Sequence, residues 1–323
     1  MENWLNQCHF GDCLETLRRM PDGIAQTCVT SPPYFGLRDY SGGAAEIGKE
    51  KTPDEFVSAL VAVFREVRRV LCDDGSIWVN MGDSYGKGKQ LLGIPWRLAF
   101  ALQDDGWILR QEIIWHKPNP MPESVTDRCT KSHESIFLLA KSEKYYFDAC
   151  AIKEQAVSDH APGNNSHKGA TAYAAEEGEH HRTKAGLVGY AQRVRSKRDS
   201  FKREDSKRAE VIPNQSFGTH REDRDESAWD LESRNKRSVW TVATTPYKGA
   251  HFATFPIALI EPCILAGAPA GGVVLDCFFG SGTTGQVAQN LGRKFIGCEL
   301  NQTYKVLQDE RLQQPSFEFS EVA

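Results

Sequence analysis

A chain of 323 residues, 40% hydrophobic and 25% charged, can bury one large core and still carry a smaller inserted or appended lobe. Its composition fits neither wholesale disorder nor a membrane protein, and its formal net charge of −4 excludes a global attraction to nucleic acid, so any such surface must be local. No apolar run approaches the roughly 20 residues of a membrane span, Met1 to Phe10 lacks signal-peptide character, and nine cysteines without a CxxC pair or Cys/His cluster argue for reduced thiols rather than structural zinc; a cytoplasmic location is expected.

In chain order, Gln7 to Phe10 reads as a strand, followed by a helical pattern from Leu14 that Pro21 breaks. Asp12 therefore sits at a strand end, where a helix N-cap is expected. The apolar run Ile24 to Val29 leads into Thr30-Ser31-Pro32-Pro33-Tyr34. Two consecutive prolines fix φ and push Ser31 out of the helical region, so this corner is extended and rigid. The carbonyls of Ser31 and Pro32, the Ser31 hydroxyl and the Tyr34 ring would suit a planar ring that carries an exocyclic amine.

Thr52-Pro53-Asp54-Glu55 combines an N-cap, a first-turn proline and a capping-box glutamate, and predicts a helix whose apolar stripe runs from Phe56 to Val70. Asp73-Asp74-Gly75 reads as a turn and Ser76 to Asn80 as a strand. Gly82 to Gly93 is a glycine- and lysine-bearing loop, placed over a site or against a phosphate backbone. A helix over Ile94 to Leu102, a strand over Trp107 to His116, an extended exit imposed by Pro118, Pro120 and Pro122, and a strand over Glu134 to Ala140 complete an alternation that predicts a parallel sheet.

Residues 158 to 237 carry few aliphatic side chains and no clean period. The densest basic run, Arg193, Arg195, Lys197, Arg198, Lys202 and Arg203, is either a phosphate-contacting surface or a solvated linker. The histidines of this stretch lack cysteine partners and regular spacing, so no metal is expected. Ser238 to Thr244 returns to strand character, Phe255-Pro256 leads into an apolar helix over Ile257 to Leu265, and Val273 to Asp276 is a strand. The next loop, Gly280-Ser281-Gly282-Thr283-Thr284-Gly285, satisfies GxGxxG, and Glu299 follows at the end of the strand Lys294 to Cys298. Alone, this loop is compatible with a nicotinamide dinucleotide. Asp276 beside it favours a cationic ligand over a pyrophosphate.

The SPPY corner and the segment Val273 to Thr284 together resemble the catalytic and cofactor motifs of the DNA amino-methyltransferases, which methylate N4 of cytosine or N6 of adenine. The order of corner, basic insertion and cofactor loop resembles the beta class. That likeness implies an α/β fold: a doubly wound, Rossmann-like methyltransferase sheet with circularly permuted motif order and an inserted target-recognition region. Residues 1–150 would form the catalytic part, 151–237 the insertion and 238–323 the cofactor part. It further implies S-adenosylmethionine as cofactor, bound by Asp12, Phe255, Pro256, Asp276, Phe278, Gly280, Ser281, Gly282, Thr283 and Glu299, and catalysis by Ser31, Pro32, Pro33 and Tyr34.

The implied substrate is double-stranded DNA with its target base flipped out, the implied protein a monomer or homodimer with or without a partner restriction endonuclease. Ser31, where many adenine enzymes carry Asp, leans toward cytosine N4, with N6-adenine as the alternative. A non-catalytic DNA-binding module and a nicotinamide-dependent oxidoreductase are the competing classes. Cytosine C5 chemistry would need a nucleophilic cysteine, and Cys263 lies in an apolar helix instead.

Overall fold

The structure, a computed structural model, describes residues 3–37, 46–155, 233–244 and 255–313. The chain divides into two units, Met1–Lys153 with Asn235–Ala323, and Glu154–Arg234. In the second, the described residues form one short antiparallel pair, with Arg234 Nε donating to Glu154 Oε1 at 2.9 Å.

The first unit is built on β1 (Gln7–Phe10), α1 (Cys13–Arg19), β2 (Ala25–Thr30), α2 (Pro53–Val70), β3 (Leu71–Met81), α3 (Ile94–Asp104), β4 (Ile108–His116) and β5 (His133–Ala140). After the short pair of the second unit, β6 (Glu154–Gln155) and β7 (Ser233–Arg234), come β8 (Val239–Thr241), α4 (Ile257–Gly267), β9 (Val273–Asp276), α5 (Thr283–Asn290), β10 (Lys294–Glu299) and α6 (Lys305–Leu312). Eight strands make one sheet in the order β1-β10-β9-β2-β3-β5-β4-β8. The two ends of the chain interleave within it, since β10 pairs with β1 and β9 with β2.

The helices cover both faces, as the alternation of side chains along the strands requires. Cys28, Ile77, Val79, Leu275 and Ile296 join one buried cluster with α2 and α3, while Val29, Trp78, Val274 and Phe295 join a second cluster with α4. The capping box of α2 forms as its residues dictate: Glu55 N–H donates to Thr52 Oγ1 and Thr52 N–H to Glu55 Oε2, both at 3.2 Å. Phe56, Leu60, Phe64, Val67 and Val70 on its inner stripe are wholly buried. Among the described residues no helix is long and apolar enough to cross a membrane.

Two expectations are corrected. The sheet is mixed, because β5 runs antiparallel to both β3 and β4. A parallel return needs a crossover, usually a helix; residues 117–132, carrying Pro118, Pro120 and Pro122, form none, and the chain folds back beside β4. Asp73-Asp74-Gly75 is not a turn between elements but a bulge inside β3. Ala25 pairs with Leu71 and Thr27 with Ser76, so β3 spends five residues where β2 spends two.

Candidate active site

The SPPY corner leaves the end of β2 and the glycine bend leaves the end of β9, and these strands are neighbours, with Thr27 opposite Val274 and Cys28 opposite Leu275. Two segments far apart in the chain therefore meet at adjacent strand tips. A single carboxylate joins them. Asp276 Oδ1 accepts from Thr30 Oγ1 at 2.6 Å and from Phe278 N–H at 3.0 Å, while Oδ2 accepts from Thr284 Oγ1 at 2.6 Å. The side chain is 1% exposed. Burial pushes its carboxyl up to about 6, against the pull of these three donors. Asp276 thus faces inward, as a brace between the end of β2 and the start of α5.

The glycine bend has its own carboxylate. Glu299 Oε2 accepts from Gly280 N–H and Oε1 from Asn301 N–H, both at 2.8 Å, and burial raises its pKa from the ordinary carboxylate value. Gly280 and Gly282 adopt left-handed φ of 54° and 86°, conformations that glycine takes without strain. Gln308 Nε2 donates to the Gly280 carbonyl at 2.7 Å, and Arg311 engages Thr283 Oγ1. The Ser281 hydroxyl is buried and has no hydrogen-bond partner among the described residues. Gly285, the third glycine of the pattern, serves packing: a Cβ there would lie 2.6 Å from the Phe279 ring.

The other residues expected to hold the cofactor sit on separate elements. Asp12 follows β1 and caps α1, accepting from Glu15 N–H at 2.9 Å, and the adjacent Gly11 N–H donates to the Glu299 carbonyl at 2.9 Å. Phe278 packs against the first cluster and Phe255 against the second, with Pro256 at the N-cap of α4.

Tyr34 of the corner lines a cavity of about 170 Å³ together with Gly82, Asp83, Lys117, Lys131 and Glu134 among others. The Tyr34 ring lies against Gly82, where a Cβ would come within 2.5 Å of it, so this close approach requires glycine. The phenol donates to Glu134 Oε2 at 2.8 Å, and Asn80 Nδ2 donates to the Tyr34 hydroxyl and to the same carboxylate oxygen, each at 3.1 Å. Asn80 Nδ2 also lies 3.5 Å from Ser31 Oγ. Glu134 Oε1 is paired with Lys117, whose ammonium sits 4.2 Å from the centre of the Trp115 ring. Lys131 donates to the Asp83 carbonyl at 3.3 Å, and burial lowers its ammonium from the ordinary value. An aromatic face, polar acceptors and two ammonium groups make a recess suited to a flat, hydrogen-bonding ring with a phosphate nearby.

Sequence reasoning missed Asn80, Lys117, Lys131, Glu134 and the role of Gly82. Asn80 and Gly82 do lie near the end of a recognisable strand, and Glu134 begins another, so strand tips were the signal. The loop 82–93 is closed by Asp83, whose carboxylate accepts from Gly93 N–H at 3.1 Å and Ile94 N–H at 3.0 Å at the start of α3. The basic run Arg193, Arg195, Lys197, Arg198, Lys202 and Arg203 lies outside the described residues.

Comparison with known proteins then gives this geometry a context. Residues 25–309 match the family model described as DNA methylase. The chain is 40% identical over 331 residues to the Type II methyltransferase M.Cfr9I of Citrobacter freundii, covering 94% of this chain and 86% of that one. It is 38% identical over 342 residues to the Type II methyltransferase M.SmaI of Serratia marcescens, covering 97% and 93%. Among solved structures, the cytosine-N4-specific PvuII DNA methyltransferase superposes with a TM-score of 0.61 at 18% identity, over 96% of this chain and 87% of that chain. TTHA0409 of Thermus thermophilus, in complex with S-adenosyl-L-methionine, superposes with a TM-score of 0.55 at 21% identity, over 94% and 93%. These last two likenesses speak to the fold.

Proposed function

The chain belongs to the DNA methylase family, and from that premise we propose that it transfers the methyl group of S-adenosylmethionine to N4 of a flipped cytosine in double-stranded DNA. The observation that carries the proposal is the Asp276 brace, which holds the SPPY corner and the glycine bend at neighbouring strand tips. The residues present suit the cofactor. Ser281 offers a buried hydroxyl with no partner among the described residues, and Glu299 accepts one bond on each oxygen, leaving capacity for ribose hydroxyls. Asp276, buried and triply bonded, would serve the cofactor by shaping the bend rather than by touching it.

When bound, S-adenosylmethionine supplies an electrophilic methyl group on a sulfonium. The chain must supply the rest. An exocyclic amine is a poor nucleophile because its lone pair is delocalised into the ring, so acceptors at Ser31 and Pro32 that take its protons would concentrate the lone pair on nitrogen. The base is inaccessible inside a duplex and must leave the stack, with the Tyr34 ring as its platform. Holding two reactants face to face contributes up to about 7 to 11 kcal/mol in well-oriented cases. Ser31 supports N4 over N6, since cytosine N3 is already an acceptor and pairs better with a hydroxyl than with a carboxylate.

Residues 151–237 would serve target recognition, with the basic run from Arg193 to Arg203 on phosphates. The naming of the relatives as Type II methyltransferases supports a setting in which an endonuclease reads the same DNA site. The non-catalytic and nicotinamide readings of the sequence give way to the family assignment. The test is to incubate the protein with S-adenosylmethionine and unmethylated phage DNA, digest the DNA and identify the modified nucleoside by mass. N4-methylcytosine is expected; N6-methyladenine as sole product would transfer the proposal to adenine, and an unmodified digest would overturn it.

A further inference from the structure

We propose that Glu134 is a positioning residue for methyl transfer, setting the plane of the Tyr34 ring through its phenol hydroxyl; this rests on the reading of Tyr34 as the platform for the flipped base. Stacking needs only the ring, and a phenylalanine would provide one. The hydroxyl must therefore have another use, and it is engaged twice, donating to Glu134 Oε2 at 2.8 Å and accepting from Asn80 Nδ2 at 3.1 Å. With its edge against Gly82 and its oxygen tied to Glu134, the ring is held at two points, which restricts its rotation.

Glu134 is itself over-determined, as a reference point has to be. One oxygen pairs with Lys117 and the other receives both Asn80 and Tyr34, in a side chain 14% exposed. Lys117 is held over Trp115 of β4, so the support runs from β4 through the start of β5 to the corner after β2. The same carboxylate orients the Asn80 amide, drawing Nδ2 toward itself and leaving Oδ1 buried without a partner among the described residues. A neutral acceptor would bond the phenol but leave Lys117, 18% exposed, without its counter-ion. The carboxylate does both.

A double-mutant cycle on the full chain tests this, using Glu134→Gln, Tyr34→Phe and both together, with tritiated S-adenosylmethionine and unmethylated phage DNA. If Glu134 acts through the hydroxyl, each single change lowers kcat about 10- to 100-fold, since small misplacements at a reacting centre cost that much. Cofactor Kd and Tm stay near wild type, and the double variant is no slower than the worse single by more than about twofold. An unaffected Glu134→Gln, or losses that multiply, would overturn the proposal, as would a loss of kcat matched by equal losses in Kd and Tm. Should Glu134→Gln fold poorly because Lys117 is left unpaired, Glu134→Gln with Lys117→Met removes both charges and enters the same cycle. A wild-type protein that methylates no DNA would refute the underlying reading; an active wild type with an indifferent Glu134→Gln would refute this proposal alone.

Discussion

At the glycine bend, Asp276 gathers only neutral donors, two threonine hydroxyls and one amide, in full burial; at the Tyr34 recess, Glu134 gathers an ammonium, an amide and a phenol at the wall of an open cavity. The first arrangement keeps a carboxylate far from its ordinary protonation behaviour and binds two chain segments into one frame. The second pairs its carboxylate with an ammonium and holds Tyr34, with which it lines the cavity. One brace ties two chain segments together; the other, as proposed above, aims a group within the recess.

Substitutions at the two braces should separate these roles. The largest effect is expected from Asp276→Ala, which strands Thr30 Oγ1, Thr284 Oγ1 and Phe278 N–H without their shared acceptor; it should cost about 3 kcal/mol or more in urea unfolding and weaken cofactor binding. The protonation of Asp276 should be visible as well. Its folded value of about 6 lies above that of an unfolded carboxyl, so its stabilising contribution is complete below about pH 4 and is lost as pH rises through the folded value. Wild type should accordingly lose about 3 kcal/mol relative to Asp276→Asn between about pH 4 and pH 7, and a pH-independent difference in urea midpoints would contradict the assignment.

Changes in the recess should read out in turnover instead. Gly82→Ala forces the Tyr34 ring aside, and is expected to lower kcat about 100-fold with little change in cofactor Kd. The smallest effect belongs to Ser281→Ala. Its hydroxyl has no partner among the described residues, so stability should hold or rise slightly while cofactor affinity falls about tenfold, the loss of one hydrogen bond.

The two regions also differ in how readable they were. The glycine bend is encoded within residues 273–299, where a strand, two left-handed glycines, a helix start and a second strand follow one another, so local pattern suffices. Even there, the inward turn of Asp276 escaped notice, because Thr30 comes from the other end of the chain. The recess is assembled from β2, β3, β4 and β5, and no local motif joins Tyr34, Asn80, Lys117 and Glu134. Strand direction hid it further. In a wholly parallel sheet the start of the strand bearing Glu134 would lie at the edge opposite Thr30; the antiparallel return of β5 brings it to the same edge. The capping box of α2 was legible for the opposite reason, since all its partners lie within four consecutive residues.

The most direct test of the division between the two regions is a paired measurement on Tyr34→Ala: single-turnover methyl transfer to DNA, and S-adenosylmethionine Kd by calorimetry. Transfer is expected to fall about 100-fold or more with cofactor affinity retained. Equal losses in both would mean that the corner and the bend do not divide the two substrates between them.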